Sequence, residues 1–172
     1  ISGVTIWTIC YALEIASVSL EEKIFWSNAQ YLGVLLIPPT LLAFVLFYTH
    51  QERWLNLTTW IVFFVLTFLF QTLIWTDHQH HLLRENLQLI VEPFPEISFD
   101  YGPLYLSIVV YFYLFLMLST LALIRNLFQT SHLYRGQTFA ILTALMFPWG
   151  ASIIEILHLN PLPHLSLIVF SF

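Results

Sequence analysis

Charge is what this chain has least of. Only 9% of its 172 residues are Asp, Glu, Lys or Arg, and five of them are basic. Hydrophobic residues make up 59% and aromatic ones 17%, with a mean hydropathy of +0.81, so too few polar side chains exist to coat a soluble globule. Lipid must do most of the solvating. Five basic residues against a formal net charge of -5 leave no surface that neutralises a run of phosphates, which excludes nucleic acid as a partner. A single cysteine, Cys10, excludes an internal disulfide framework and any cysteine-based metal cluster. No Gly-rich phosphate loop, nucleophile elbow or HExxH motif is present, so no catalytic residue and no cofactor is assigned. The chain begins at Ile1, with no basic n-region or small-residue cleavage site, so its first apolar segment is not a signal peptide and the whole reads as an excerpt of something longer.

What is present is a series of long apolar runs. A spanning helix needs about 20 predominantly apolar residues. Such windows predict helices at roughly Ile1 to Val18, Trp26 to Thr49, Trp54 to Trp75, Tyr101 to Leu127 and Leu133 to Leu159, with a sixth starting near Pro161. The sixth offers only LSLIVFSF, from Leu165 to Phe172, which as helix rises about 12 Å against a hydrocarbon core of about 30 Å. The expected fold is therefore an all-α polytopic membrane bundle, residues 1–172, with five full spans and a truncated sixth.

Arg53, Arg125 and Arg135 fall in the connections after the second and fourth helices, while Lys23, Arg84 and most acidic residues fall in the others. The positive-inside rule then places the acidic side outside and sends the last helix inward. The long connection at 77–101 lies on the acidic side. Its runs LQLIVE and EISFDYG flank PFP, and the second alternates Ile97, Phe99 and Tyr101 with Ser98 and Asp100. That pattern suggests a small extracytoplasmic β-hairpin, with an irregular acidic loop as the alternative.

Pro38 and Pro39 sit near the middle of the second span and Pro148 inside the fifth. Each removes a backbone donor, so kinks are expected and the freed carbonyls need partners inside the protein. Such kinks either help the bundle pack or open a pocket. Polar side chains at membrane depth bear on that choice. Thr8, Tyr11 and Glu14 share one helix face, as do Thr67, Gln71 and Trp75, and Ser152, Glu155 and His158. Glu14 and Glu155 are costly in lipid and should face the interior, paired, hydrated or protonated. A ligand-binding pocket lined by Glu14, Tyr11, Gln71, Trp75, Tyr105, Glu155 and His158 is one reading; an interfacial Glu155 and His158 pair with a snorkelling Glu14 is the other. His78, His80 and His81 form a cluster that offers imidazoles to a transition metal, but at no zinc spacing, and surface histidines are the simpler reading.

Several of these stretches together resemble a family. They are ICYALEIA around Glu14, the tryptophan, Tyr-Leu-Gly, proline and Phe-x-x-x-Tyr-Thr succession from Trp26 through Tyr31, Leu32, Gly33 and Pro38 to Tyr48 and Thr49, the pair His80 and His81, YGPLY from Tyr101 to Tyr105, and LYRGQ from Leu133 to Gln137. They are similar to the N-terminal seven-transmembrane region of bacterial histidine kinases, from its second helix to the start of its seventh. The resemblance implies a multi-pass sensor in the bacterial inner membrane that binds a small-molecule or lipid signal. It implies transmission of helix movement to a cytoplasmic kinase or similar output domain, which also admits a homodimer formed through that domain. Whether the full-length protein is an enzyme depends on that output, since these residues hold no catalytic site. The alternative is a structural or ion- and proton-conducting subunit of a larger membrane complex, in which Glu14, Glu155 and His158 relay the ions.

Overall fold

The computed structural model describes residues 2–90, 96–129 and 132–156, without the side chains of 86–90, 96–99, 132–134 and 152–156. The chain runs α1 (Ser2–Ala16), α2 (Leu20–Tyr48), a 3-10 turn (Glu52–Trp54), α3 (Leu57–Trp75), the short α4 (Asp77–His80), β1 (Arg84–Ile90), β2 (Glu96–Tyr101), α5 (Tyr105–Gln129) and α6 (His132–Ile156). The sixth segment expected near Pro161 lies outside the described residues. Among those described, α2, α3 and α5 are long and apolar enough to cross a membrane, and α1 is a shorter apolar helix. Phe64, Phe68, Leu106 and Phe128 are each more than 60% exposed, as lipid-facing side chains should be.

Helix ends follow local chemistry. α2 begins six residues before the expected Trp26, because Ser19 accepts a hydrogen bond from the backbone N–H of Glu22 and acts as N-cap. Ser19 and Glu22 form an S-x-x-E start signal that the apolar scan passes over. Asn56 caps α3 in the same way, its Oδ1 accepting from the N–H of Thr59 at 2.9 Å. That moves the start of the third helix from Trp54 to Leu57.

α2 is the central element: α1, α3 and α5 all pack against it, and α6 packs on α5. Against α1 the approach is close enough to exclude side chains. A Cβ on Gly33 would lie 2.5 Å from the carbonyl oxygen of Gly3 and 2.6 Å from the backbone nitrogen of Trp7. On the other flank Leu35, Leu42, Phe63, Phe70, Tyr111 and Phe115 form the largest core cluster. Further along, Val45, Leu116, Leu123 and Leu145 join α2, α5 and α6.

α2 remains helical through both prolines. Pro39 withholds the N–H that the carbonyl of Leu35 would accept. The Tyr111 hydroxyl, from α5, donates to that carbonyl instead, at 3.1 Å, and lies 3.4 Å from Thr67 Oγ1 on α3. A hydroxyl from a neighbouring helix thus replaces the backbone donor, which is the kind of partner that lipid cannot supply.

β1 and β2 pair antiparallel, from Arg84 opposite Tyr101 to Ile90 opposite Glu96, with an irregularity between Glu85 and Gln88. The two strands leave and rejoin the bundle at one end, shared by the last turns of α1 and α3 and the first turns of α2 and α5. We call this the hairpin end. At the opposite end the buried Thr138 of α6 meets the Tyr48 hydroxyl at 3.2 Å and the Asn126 amide at 3.4 Å.

Candidate ligand-binding site

The polar chemistry of the hairpin end starts where α3 stops. Asp77, two residues beyond Trp75, points inward and is 2% exposed. Its carboxylate accepts from the backbone N–H groups of Leu83 at 2.9 Å and Arg84 at 3.0 Å, which fixes the entry to β1. The guanidinium of Arg84, 3% exposed, returns to the same carboxylate at 3.4 Å. It continues across to α2, donating to Ser27 Oγ at 3.4 Å and to Asn28 Oδ1, and lies 5.9 Å from the ring of Tyr31. A cation is thus buried with one anion, two neutral acceptors and an aromatic face, the set of partners that makes such burial tolerable.

Gln71 enters this network from α3. Its amide donates to the carbonyl of Asn28 at 3.1 Å, and its Oε1 is buried with no hydrogen-bond partner among the described residues. That oxygen is the unmet acceptor of the site. On the α1 side, Lys23 is 1% exposed and donates to the carbonyl of Glu14 at 2.7 Å. This satisfies a carbonyl near the end of α1 and places a cation at the negative end of that helix. The Glu14 carboxylate accepts from Gln30 of α2.

The residues expected to line one pocket are distributed differently. Glu14 and Gln71 are both tied to α2, but on its two flanks, through Gln30 and Asn28 respectively. Tyr11 packs beside Trp7 and Ile37 at the α1–α2 seam. Trp75 is 41% exposed and meets the edge of Phe25 at 5.5 Å. Tyr105 stacks on Tyr101 at 4.2 Å. Glu155 lies on α6, but its side chain and the whole of His158 fall outside the described residues. Pro148 lies inside α6 and is buried, beside Trp149, whose indole donates to Thr120 at 3.4 Å.

Of the three histidines, His80 lies 3.2 Å from Thr76 Oγ1 and 3.5 Å from the Asp77 carboxylate, His78 Nδ1 lies 3.2 Å from the carbonyl of Trp75, and His81 is exposed. Among the described residues no three His, Cys, Asp or Glu side chains are placed to hold a metal ion.

Sequence reasoning gave no buried role to Lys23, Ser27, Asn28, Asp77 and Arg84. For three of these the signal was absent, because Lys23, Asp77 and Arg84 look like ordinary connector charges. For Ser27 and Asn28 a signal existed: with Gln30 they interrupt an otherwise apolar span.

Comparison with curated proteins and with solved structures returns no match. The model of one family, described as the N-terminal 7TM region of histidine kinase, matches residues 1–172. Long apolar helices, a lipid-facing exterior and a match that spans every residue agree: this is a multi-pass membrane protein, and the chain belongs to the family of N-terminal seven-transmembrane regions of histidine kinases.

Proposed function

We propose that the chain is a sensory input module of the bacterial inner membrane, with five full spans and a sixth begun here out of a family total of seven. In this reading the hairpin end faces outward and receives a small-molecule or lipid signal. The resulting helix movement passes to a cytoplasmic histidine kinase or similar output domain. One observation carries the proposal: the buried Arg84–Asp77 pair clamps the 77–101 connection onto Asn28 of α2, beside the unpartnered Gln71 Oε1. A ligand that donates a hydrogen bond to that oxygen is worth more to one packing of α2 and α3 than to another, and such a difference is what shifts a two-state equilibrium. Pro38 and Pro39, inside the same helix, are where we place the hinge between the packings.

The test uses the full-length protein in proteoliposomes, with autophosphorylation as the readout. Gln71→Leu removes the unmet acceptor, and Asn28→Ala cuts the link between hairpin and helix. Each is expected to change basal phosphorylation several-fold. Wild-type rates in both variants would remove the site.

The conducting-subunit alternative asks for linked polar groups from end to end. Buried hydroxyls and amides do occur at both ends and in the middle, at Gln71, Tyr111 and Thr138. Between the last two, however, the Ser119 and Thr120 hydroxyls donate back to carbonyls of their own helix, among Val45, Leu116, Leu123 and Leu145, so among the described residues they extend no path toward Thr138, which favours the sensory reading.

A further inference from the structure

A second feature of the hairpin end lies outside the Arg84 network. Where the chain passes from α1 to α2, an open depression of about 660 Å³ sits on the surface, within the size range of small-molecule sites. Leu13, Val18, Phe25 and Trp26 supply apolar walls, and Glu21 and Glu22 stand on the rim. Val18 is 76% exposed and Phe25 49%. Phe25 makes edge contacts to both Trp26 and Trp75, at 5.1 and 5.5 Å, so the wall is a continuous aromatic surface. The two carboxylates form no ion pair among the described residues. Lys23, the nearest cation in sequence, is turned away and bonded to the Glu14 carbonyl, so it does not offset them at the surface.

We infer that this depression binds a cationic amphiphile, a single alkyl chain bearing an ammonium head. The apolar walls take the tail, and Glu21, Glu22 and the face of Trp26 take the head by charge and cation–π attraction. The level of the site suits such a molecule. It lies at the first turn of the α2 span, where an amphiphile partitioned into the bilayer places its head group. Among the described residues the rim has acidic groups and no exposed basic one, so a zwitterionic lipid gains nothing there for its phosphate, and an anionic amphiphile is repelled.

Binding is measured directly, so the inference stands apart from the signalling reading. The full-length protein is placed in phosphatidylcholine nanodiscs and titrated with radiolabelled tetradecyltrimethylammonium, with empty discs subtracted. Saturable binding is expected, competed by neither tetradecyl sulfate nor tetradecanol. The double variant Glu21→Gln with Glu22→Gln should weaken it roughly fivefold, the combined effect of two exposed ion pairs. Val18→Trp, a change at an exposed turn that leaves the core untouched, should weaken it by filling the depression. Uptake that never saturates, equal affinity in the double variant, or competition by the sulfate would each overturn the assignment.

Discussion

Seven residues separate Asn28 from Leu35 along α2, about 10 Å of helix rise, and the polar chemistry changes entirely across that distance. At Asn28 the helix meets full charges, Arg84 with Asp77, delivered by a connection that folds back into the bundle. At Leu35 it meets only neutral hydroxyls, Tyr111 with Thr67, delivered by two neighbouring spans. The contrast follows the cost of charge with depth. An ionised side chain costs about 2.5 to 3.5 kcal/mol at the centre of a span on insertion scales and less near the boundary. Charge is therefore used where the chain itself provides cover, and a hydroxyl where a backbone acceptor has to be satisfied in hydrocarbon.

The sharpest way to break the comparison is to remove one charge. Arg84→Ala leaves Asp77 buried without its cation, and loss of one partner of such a pair costs about 3 to 5 kcal/mol. The expected outcome is a large drop in the sodium dodecyl sulfate fraction needed to unfold the full-length protein in mixed micelles. Removing both charges, in Arg84→Met with Asp77→Leu, should cost clearly less than the single change. Equal losses would mean that Arg84 acts through its contacts to Ser27 and Asn28 rather than through its charge.

A second test asks whether α2 holds its place by polar bonds or by close contact. Gly33 touches the backbone of α1 so closely that Gly33→Leu must push the two helices apart, at about 1 to 3 kcal/mol for overpacking. The same change in Gly136, where a Cβ would have no described neighbour within 4 Å, should not lower the unfolding midpoint, since an interior helical glycine gives way to a better helix former. If both variants unfold alike, the Gly3–Gly33 seam is not what seats α1.

How much of this was readable beforehand differs between the two regions as well. Apolar windows located every described long helix, since length and hydropathy are properties of one segment. The early start of α2 was missed because Glu21, Glu22 and Lys23 read as a solvated connector, although the Ser19 to Glu22 capping signal was there. Asp77 and Arg84 were placed only in the acidic 77–101 connection, read as a hairpin or an irregular loop, with no buried role: nothing in a linear pattern tells a charge that folds back from one that faces water. The need for a partner at the prolines was legible from the missing N–H groups. Its identity was not, because Tyr111 lies 76 residues from the carbonyl it serves.

That pairing gives the smallest effect expected and the most specific test. Tyr111→Phe keeps the ring in its place between Phe70 and Phe115 and deletes only the hydroxyl. The Leu35 carbonyl is then unsatisfied, a loss of about 0.5 to 1.5 kcal/mol, toward the lower end in a bilayer where unfolded segments also find partners. Pro39→Ala restores the backbone N–H to that same carbonyl. The hydroxyl is then redundant, so Tyr111→Phe should cost less in the Pro39→Ala background than in the native sequence, and the double-mutant cycle measures the difference. Thr67→Val serves as the comparison, since its 3.4 Å contact to Tyr111 leaves the Leu35 bond in place and should matter less than the hydroxyl itself. An equal cost of Tyr111→Phe in both backgrounds would mean that Tyr111 is not the substitute donor for Pro39, and that the carbonyl of Leu35 is satisfied by other means.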